Sequence, residues 1–154
     1  MTRILLRPAV RSDAEFLFSM ASDTEVVRWV GDGNPWSKDY FDGRLARALS
    51  AKGTEEPDVP RWFIGMNEDR QPVGLLSLIR RSDHVEVGYW VHPAQWGRGY
   101  AGQLLALAQD HTDGVPLAAQ VSGANGASRR VLERAGFTLV DDGDPLTYRL
   151  SPRT

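Results

Sequence analysis

The chain of 154 residues contains no cysteine. That excludes disulfides, zinc–thiolate centres and a cysteine nucleophile. No apolar run is long enough to span a bilayer. The first residues also lack the extended apolar core of a secretory leader, so the cytoplasm is the expected location. Basic residues are not gathered into a block. Eighteen Lys and Arg stand against twenty Asp and Glu, a formal net charge of −2, which favours neither nucleic acid nor an anionic membrane as a partner. Gly-Lys-Ser/Thr occurs nowhere, which removes the nucleoside-triphosphate loop. His84, His92 and His111 have no metal-ligand spacing, so no metal is expected. Repeats and low-complexity tracts are absent as well.

What remains is the composition of an ordinary globule, 42% hydrophobic and 25% charged, long enough to bury one core without staples. Residues 1–154 are therefore read as a single domain. A first strand is expected over residues 3–7, stopped by Pro8. Ser12 and Glu15 have the spacing of a capping box, ahead of a helix with Ala14, Leu17, Phe18 and Ala21 on its stripe. Trp29 and Trp36 flank a segment broken by Gly31, Gly33 and Pro35, and core packing is the expected role of both, a place beside a binding site being the other reading. A second helix follows Ser37, with Phe41, Leu45, Ala48 and Leu49 at helical spacing. A solvated loop is expected over 51–60, with Gly53, Pro57 and Pro60 in it. Strands at 61–66, 73–79 and 85–91 then read as an antiparallel meander, turning at 69–72 and 81–84.

The most informative stretch runs from Val85 to Leu105. Val85, Val87, Tyr89 and Val91 fall on one face of a strand, and Glu86, Gly88 and Trp90 on the other. Pro93 ends the ladder. Gly97 and Gly99 bracket Arg98, and then Ala101, Leu104, Leu105 and Ala108 recur at i, i+3, i+4 and i+7. The order is strand, glycine turn, helix, which makes an anion site. The first amides of a helix lack internal partners, and its dipole places partial positive charge beside them. Glycines let a phosphate approach the backbone, and Arg98 adds a full charge. A glycine pair at such a turn also serves geometry alone. Gly97, Gly99 and Gly102 match the Gly-x-Gly-x-x-Gly spacing of a dinucleotide fingerprint, but the preceding meander is not the parallel unit that fingerprint requires.

Trp96-Gly97-Arg98-Gly99-Tyr100-Ala101 resembles the acetyl-coenzyme A pyrophosphate loop of the GNAT superfamily of N-acetyltransferases. Asn125 to Phe137, ending Ala135-Gly136-Phe137, is similar to that superfamily's next helix. The opening Arg3 to Pro8, with Asp13-Ala14, resembles the branch containing ribosomal-protein N-terminal acetyltransferases, in which Trp at the position of Trp96 is usual. The three motifs stand in the expected order and cover nearly the whole chain.

The resemblance implies a mixed α/β fold. Its central, mostly antiparallel sheet would have about seven strands and one splayed parallel pair, with about four helices on the two faces. Helix 101–111, a strand at 117–121 and a helix opened by Ser122, Gly123 and Asn125 fit that plan. So does a closing hairpin of strands 137–141 and 145–150. Pantetheine would lie in the splay beside Trp90 and Val91. The pyrophosphate would lie on the amides from Gly97 to Gly102, and Asn125 would contact pantetheine or cap its helix. Superfamily members often carry a general base in the fourth strand, which points to Glu86; an ion pair with Arg80 or Arg81 is the other reading. The common tyrosine proton donor falls at Leu132 here, so that assignment fails. Ser128, which this branch tends to use, would protonate the thiolate or hold the helix start. Arg129 and Arg130 read as solvated or phosphate-facing. Tyr148 reads as either core or site.

The function implied is acetyl transfer from acetyl-coenzyme A to a primary amine, by direct attack in a ternary complex. The acceptor would be a protein N-terminus or a small-molecule amine, and a homodimer is a further expectation. A non-catalytic acyl-coenzyme A binding or sensing module is the alternative, since it would keep the glycine loop without needing a base.

Overall fold

A computed structural model describes residues 3–51 and 56–152. Seven strands form one sheet: β1 Leu5–Pro8, β2 Pro60–Met66, β3 Pro72–Arg80, β4 Val85–Val91, β5 Leu117–Val121, β6 Thr138–Asp141 and β7 Leu146–Leu150. Their spatial order is β1-β2-β3-β4-β5-β7-β6. Every pairing is antiparallel except β4 with β5. The closing hairpin folds so that β7 enters beside β5 and leaves β6 at the edge. Pro8 and Pro60 sit where proline is tolerated, on an edge strand and at a strand's first residue.

Among the described residues there are five α-helices: α1 Ala14–Ala21, α2 Thr24–Val27, α3 Lys38–Leu49, α4 Tyr100–Ala108 and α5 Gly126–Arg134. Strand alternation sorts them onto two faces. Leu76, Leu78, Val85, Val87, Ala119 and Val121 pack with Leu104, Leu105 and Leu132 of α4 and α5. Trp62, Ile64 and Leu75 pack on the other face with Leu17, Met20, Phe41 and Leu45 of α1 and α3. Each fully buried leucine of these stripes contributes about 1.5–3 kcal/mol, so the sheet is clamped from both sides.

Three local expectations differ from the structure. Asp13, not Ser12, organises the entry to α1. Its carboxylate accepts from the Val10 amide at 2.8 Å and from both terminal nitrogens of Arg7, at 2.7 and 2.8 Å. A buried carboxylate with a bidentate arginine outcompetes an exposed hydroxyl for this position. Trp29 is exposed rather than core, with the Arg28 guanidinium over its ring. The helix expected over 101–111 ends in a 3-10 turn at Gln109–His111. Part of the loop expected over 51–60, Gly53 included, lies outside the described residues.

Candidate functional site

β4 and β5 pair only at Val85↔Leu117 and Glu86↔Ala118, after which the two strands separate. The Val85 amide donates to the Pro116 carbonyl on the β5 side, whereas the His92 amide donates to Val73 on the β3 side. By strand alternation, the N–H groups of Tyr89 and Val91 therefore point into the opening, where β5 supplies no partner. The Val91 carbonyl is taken by the Trp96 indole, which donates to it at 2.7 Å. Trp96 thus pins the glycine turn to the end of β4.

That turn is built as the sequence predicts. Gly97 has φ +80° and Gly99, the N-cap of α4, has φ +78°. Non-glycine residues pay to enter this left-handed region. A Cβ built on Gly97, Gly99 or Gly102 meets no atom within 4 Å. The backbone here faces open space, as a phosphate cradle requires. The Tyr100 side chain is buried in the core and anchors α4, so this residue offers the cradle only its amide. Arg98 is exposed. Ala101 and Gly102 complete the first helical turn.

The far wall of the opening is the start of α5. The Asn125 side chain caps that helix, accepting from the Ser128 amide at 3.2 Å. The Ser128 hydroxyl lies 2.6 Å from the Tyr89 hydroxyl. In the sequence Tyr89 is only part of an apolar alternation, and no local signal reveals a partner 39 residues away. Burial pushes the Tyr89 phenol above its ordinary pKa, and the Ser128 hydrogen bond opposes that rise. Arg129 bonds the Tyr148 hydroxyl and the Gly123 carbonyl, and Tyr148 donates to Glu133 at 2.8 Å. Both therefore serve the architecture of α5, and Tyr148 is fully buried. Leu132 is also core.

On the opposite face of β4, Glu86 lines a cavity of about 170 Å³ with Ser77, Ile79, Gly88 and Gln120. Arg81 donates to Glu86 Oε2 at 2.8 Å and to Asp58 at 2.8 Å. These two bonds, the one to Asp58 first, hold its guanidinium more firmly charged than usual. Glu86 Oε1 has no hydrogen-bond partner among the described residues. Two residues from Gly88, Trp90 meets the edge of Trp36 at 5.1 Å, and Trp36 meets Tyr40 at 4.9 Å. Arg44 lies over both Trp36 and Tyr40. Trp36 thus joins an aromatic wall above β4. The histidines are structural in character: His84 pairs with Asp83, His92 caps a turn, and His111 packs at a tilt against Phe63. Among the described residues, no group of three or more His, Asp or Glu is placed to hold a metal. No helix among them is long and apolar enough to cross a membrane.

Residues 3–138 match the family model described as acetyltransferase (GNAT) domain. An uncharacterised N-acetyltransferase of Bacillus subtilis, YoaA, is 26% identical over 142 residues, covering 88% of this chain and 79% of the relative. Among solved structures, spermidine N-acetyltransferase from Vibrio cholerae, in complex with CoA and spermine, superposes with a TM-score of 0.77. It shares 16% identity, with 96% of this chain and 93% of that one covered. AAC(6')-Ib in complex with ribostamycin and coenzyme A superposes at 0.76, also with 16% identity, covering 97% and 93%. The seven-stranded sheet with its single parallel pair is the fold of these proteins. The family model spans most of the chain, which therefore belongs to the GNAT family of acetyltransferases and is an N-acetyltransferase that uses acetyl-coenzyme A.

Proposed function

We propose that the protein transfers the acetyl group of acetyl-coenzyme A to a primary amine by direct attack in a ternary complex. On this reading residues 1–154 act as one catalytic domain. The observation that carries the proposal is the coincidence of two features at one end of β4. Pairing with β5 stops after Glu86↔Ala118, and a helix with an open, left-handed glycine entrance begins a few residues later. The first leaves strand amides free for an extended amide-bearing arm, a form of β-augmentation. The second offers helix-start amides to a diphosphate. Trp90, Val91 and Asn125 border the arm, and Gly97 to Gly102 hold the phosphates.

Bound here, acetyl-coenzyme A supplies an activated acyl group and a thiolate leaving group. The chain's own residues supply the rest. The N–H groups of Tyr89 and Val91 are the donors available to a developing oxyanion. Glu86 lines the acceptor-side cavity, with Oε2 held by Arg81. We assign it as general base, acting through a water, because amines are mostly protonated near neutral pH. Ser128 protonates the departing sulfur. Trp36 and Trp90 form the acceptor wall.

The acceptor is a protein N-terminus, as in the branch containing ribosomal-protein N-terminal acetyltransferases, or a small-molecule amine. Spermidine and aminoglycoside acetyltransferases share this fold. The wall offers Glu86 already paired with Arg81, together with Arg44, and this charge balance favours a monoamine over a polycation. The test is a panel of peptides and small amines assayed with acetyl-coenzyme A by thiol release. Release that requires an amine supports transfer. Tight coenzyme A binding without turnover on any acceptor would support the sensing module instead. The proposed active form is a homodimer, and light scattering after size-exclusion chromatography tests it.

A further inference from the structure

We infer that Tyr89 is the positioning residue for sulfur protonation, and that it acts through Ser128. The inference rests on the transferase reading above. Tyr89 lies just beyond the last paired residues of β4. Its backbone borders the opening, while its side chain crosses on the α4–α5 face to the first turn of α5. The 2.6 Å contact there joins a side chain of β4 to one of α5, so the two hydroxyls bridge the walls of the gap an acyl-donor arm would enter.

Two neighbouring hydroxyls have two protons, and only one can lie between the oxygens. When Tyr89 donates to Ser128 Oγ, the serine proton is turned away from Tyr89 and is free to be given elsewhere. The Ser128 amide is already spent on the Asn125 cap, which fixes where that hydroxyl sits. A serine acting alone would be left as an alkoxide, which is far more basic than a thiolate. With Tyr89 behind it, the balance is different. The carbon–sulfur bond breaks and its electron pair goes to sulfur. Ser128 gives its proton to sulfur as Tyr89 gives its own to Ser128. Glu86, through its water, takes the proton lost by the acceptor nitrogen and releases it to solvent, and Tyr89 regains one from solvent. The net reaction is amine plus thioester to amide plus thiol. Leu132 cannot supply this proton, and Tyr148 is committed to Glu133.

The experiment compares wild type, Tyr89→Phe, Ser128→Ala and the double variant, each checked for folding by thermal melting. Two readouts are taken. The first is the ionisation of the thiol of bound coenzyme A, followed by thiolate absorbance across pH. Wild type should stabilise the thiolate, so its ionisation constant should exceed that of Tyr89→Phe by about tenfold. The second is steady-state turnover. Tyr89→Phe should lower kcat about tenfold or more with KM for acetyl-coenzyme A within about twofold, and the double variant should be no slower than Ser128→Ala alone. If Tyr89→Phe does not fold, the thiol titration of Ser128→Ala carries the same prediction. Identical thiol titrations in wild type and variant overturn the inference, whatever the turnover. A difference in titration without turnover on any amine would uphold the hydroxyl pair and count against the transferase reading.

Discussion

Replacing Gly99 with glutamate tests the phosphate cradle with two separable effects. The first is backbone strain. Gly99 has φ +78°, and a side chain in that region costs about 1–2 kcal/mol. For a domain of this size that corresponds to a fall in melting temperature of roughly 2–8 °C. The second is charge. A Cβ at Gly99 meets nothing within 4 Å, so the carboxylate points into the space where a diphosphate approaches. Two unit charges about 5 Å apart at an effective dielectric near 20 repel by about 3 kcal/mol before screening. Exposure and salt reduce that figure, which leaves about 1.4 kcal/mol or more, a tenfold weakening. Gly99→Ala separates the two effects, because it carries the strain without the charge. Both variants should melt lower by similar amounts. Only Gly99→Glu should lose coenzyme A affinity tenfold or more by calorimetry, and raising the salt concentration should narrow its deficit. A folded Gly99→Glu protein that binds coenzyme A like wild type would refute the assignment of the glycine turn.

Glu86→Gln keeps the shape of the side chain but removes the proton acceptor. Turnover at neutral pH should fall about 10²-fold with coenzyme A affinity kept, and the deficit should shrink at high pH, where the amine is already neutral. An unaltered pH–rate profile would leave Glu86 as an acceptor-binding or structural carboxylate. Asp13→Asn removes the charge that Arg7 and the Val10 amide bind and should cost about 1.5–3 kcal/mol in urea unfolding. The Arg7 hydrogen bond, the largest cause, holds the Asp13 carboxyl below its usual pKa. Its stabilisation is therefore present above about pH 4 and is lost as pH falls through the lowered value, so the variant and wild type should converge in acid. His111 carries the opposite charge but the same pH direction: burial lowers its pKa, so its neutral form stabilises the fold above about pH 6.5, and this is lost as pH falls. His111→Phe should flatten that part of the stability profile, and an unchanged slope would show that the ring titrates alike folded and unfolded. Trp36→Ala opens the aromatic wall and should raise the acceptor KM more than it raises the KM for acetyl-coenzyme A.

The sequence by itself determined the features that live in short windows. The alternation from Val85 to Val91 assigned faces to β4 that the structure keeps: Val85 and Val87 toward α4 and α5, Trp90 toward α1 and α3. Period gave α3 and α4 their stripes. Gly97 and Gly99 announced left-handed turns because few other residues enter that region cheaply, whereas Asn125 left pantetheine contact and a helix cap both open, and the structure shows the cap. Tertiary structure decided the rest, since it depends on register and on where the sheet comes apart. Which of Arg80 and Arg81 meets Glu86 follows from the geometry of the β3–β4 turn. The meeting of Tyr89 with Ser128 follows from α5 starting opposite the opening between β4 and β5. Trp36 rather than Trp29 joins Trp90 because the intervening segment turns Trp29 outward. Tyr148 is core because β7 enters between β5 and β6. A backbone preference is a property of a few neighbouring residues, whereas a side-chain contact between distant segments exists only once the sheet has fixed both of its ends.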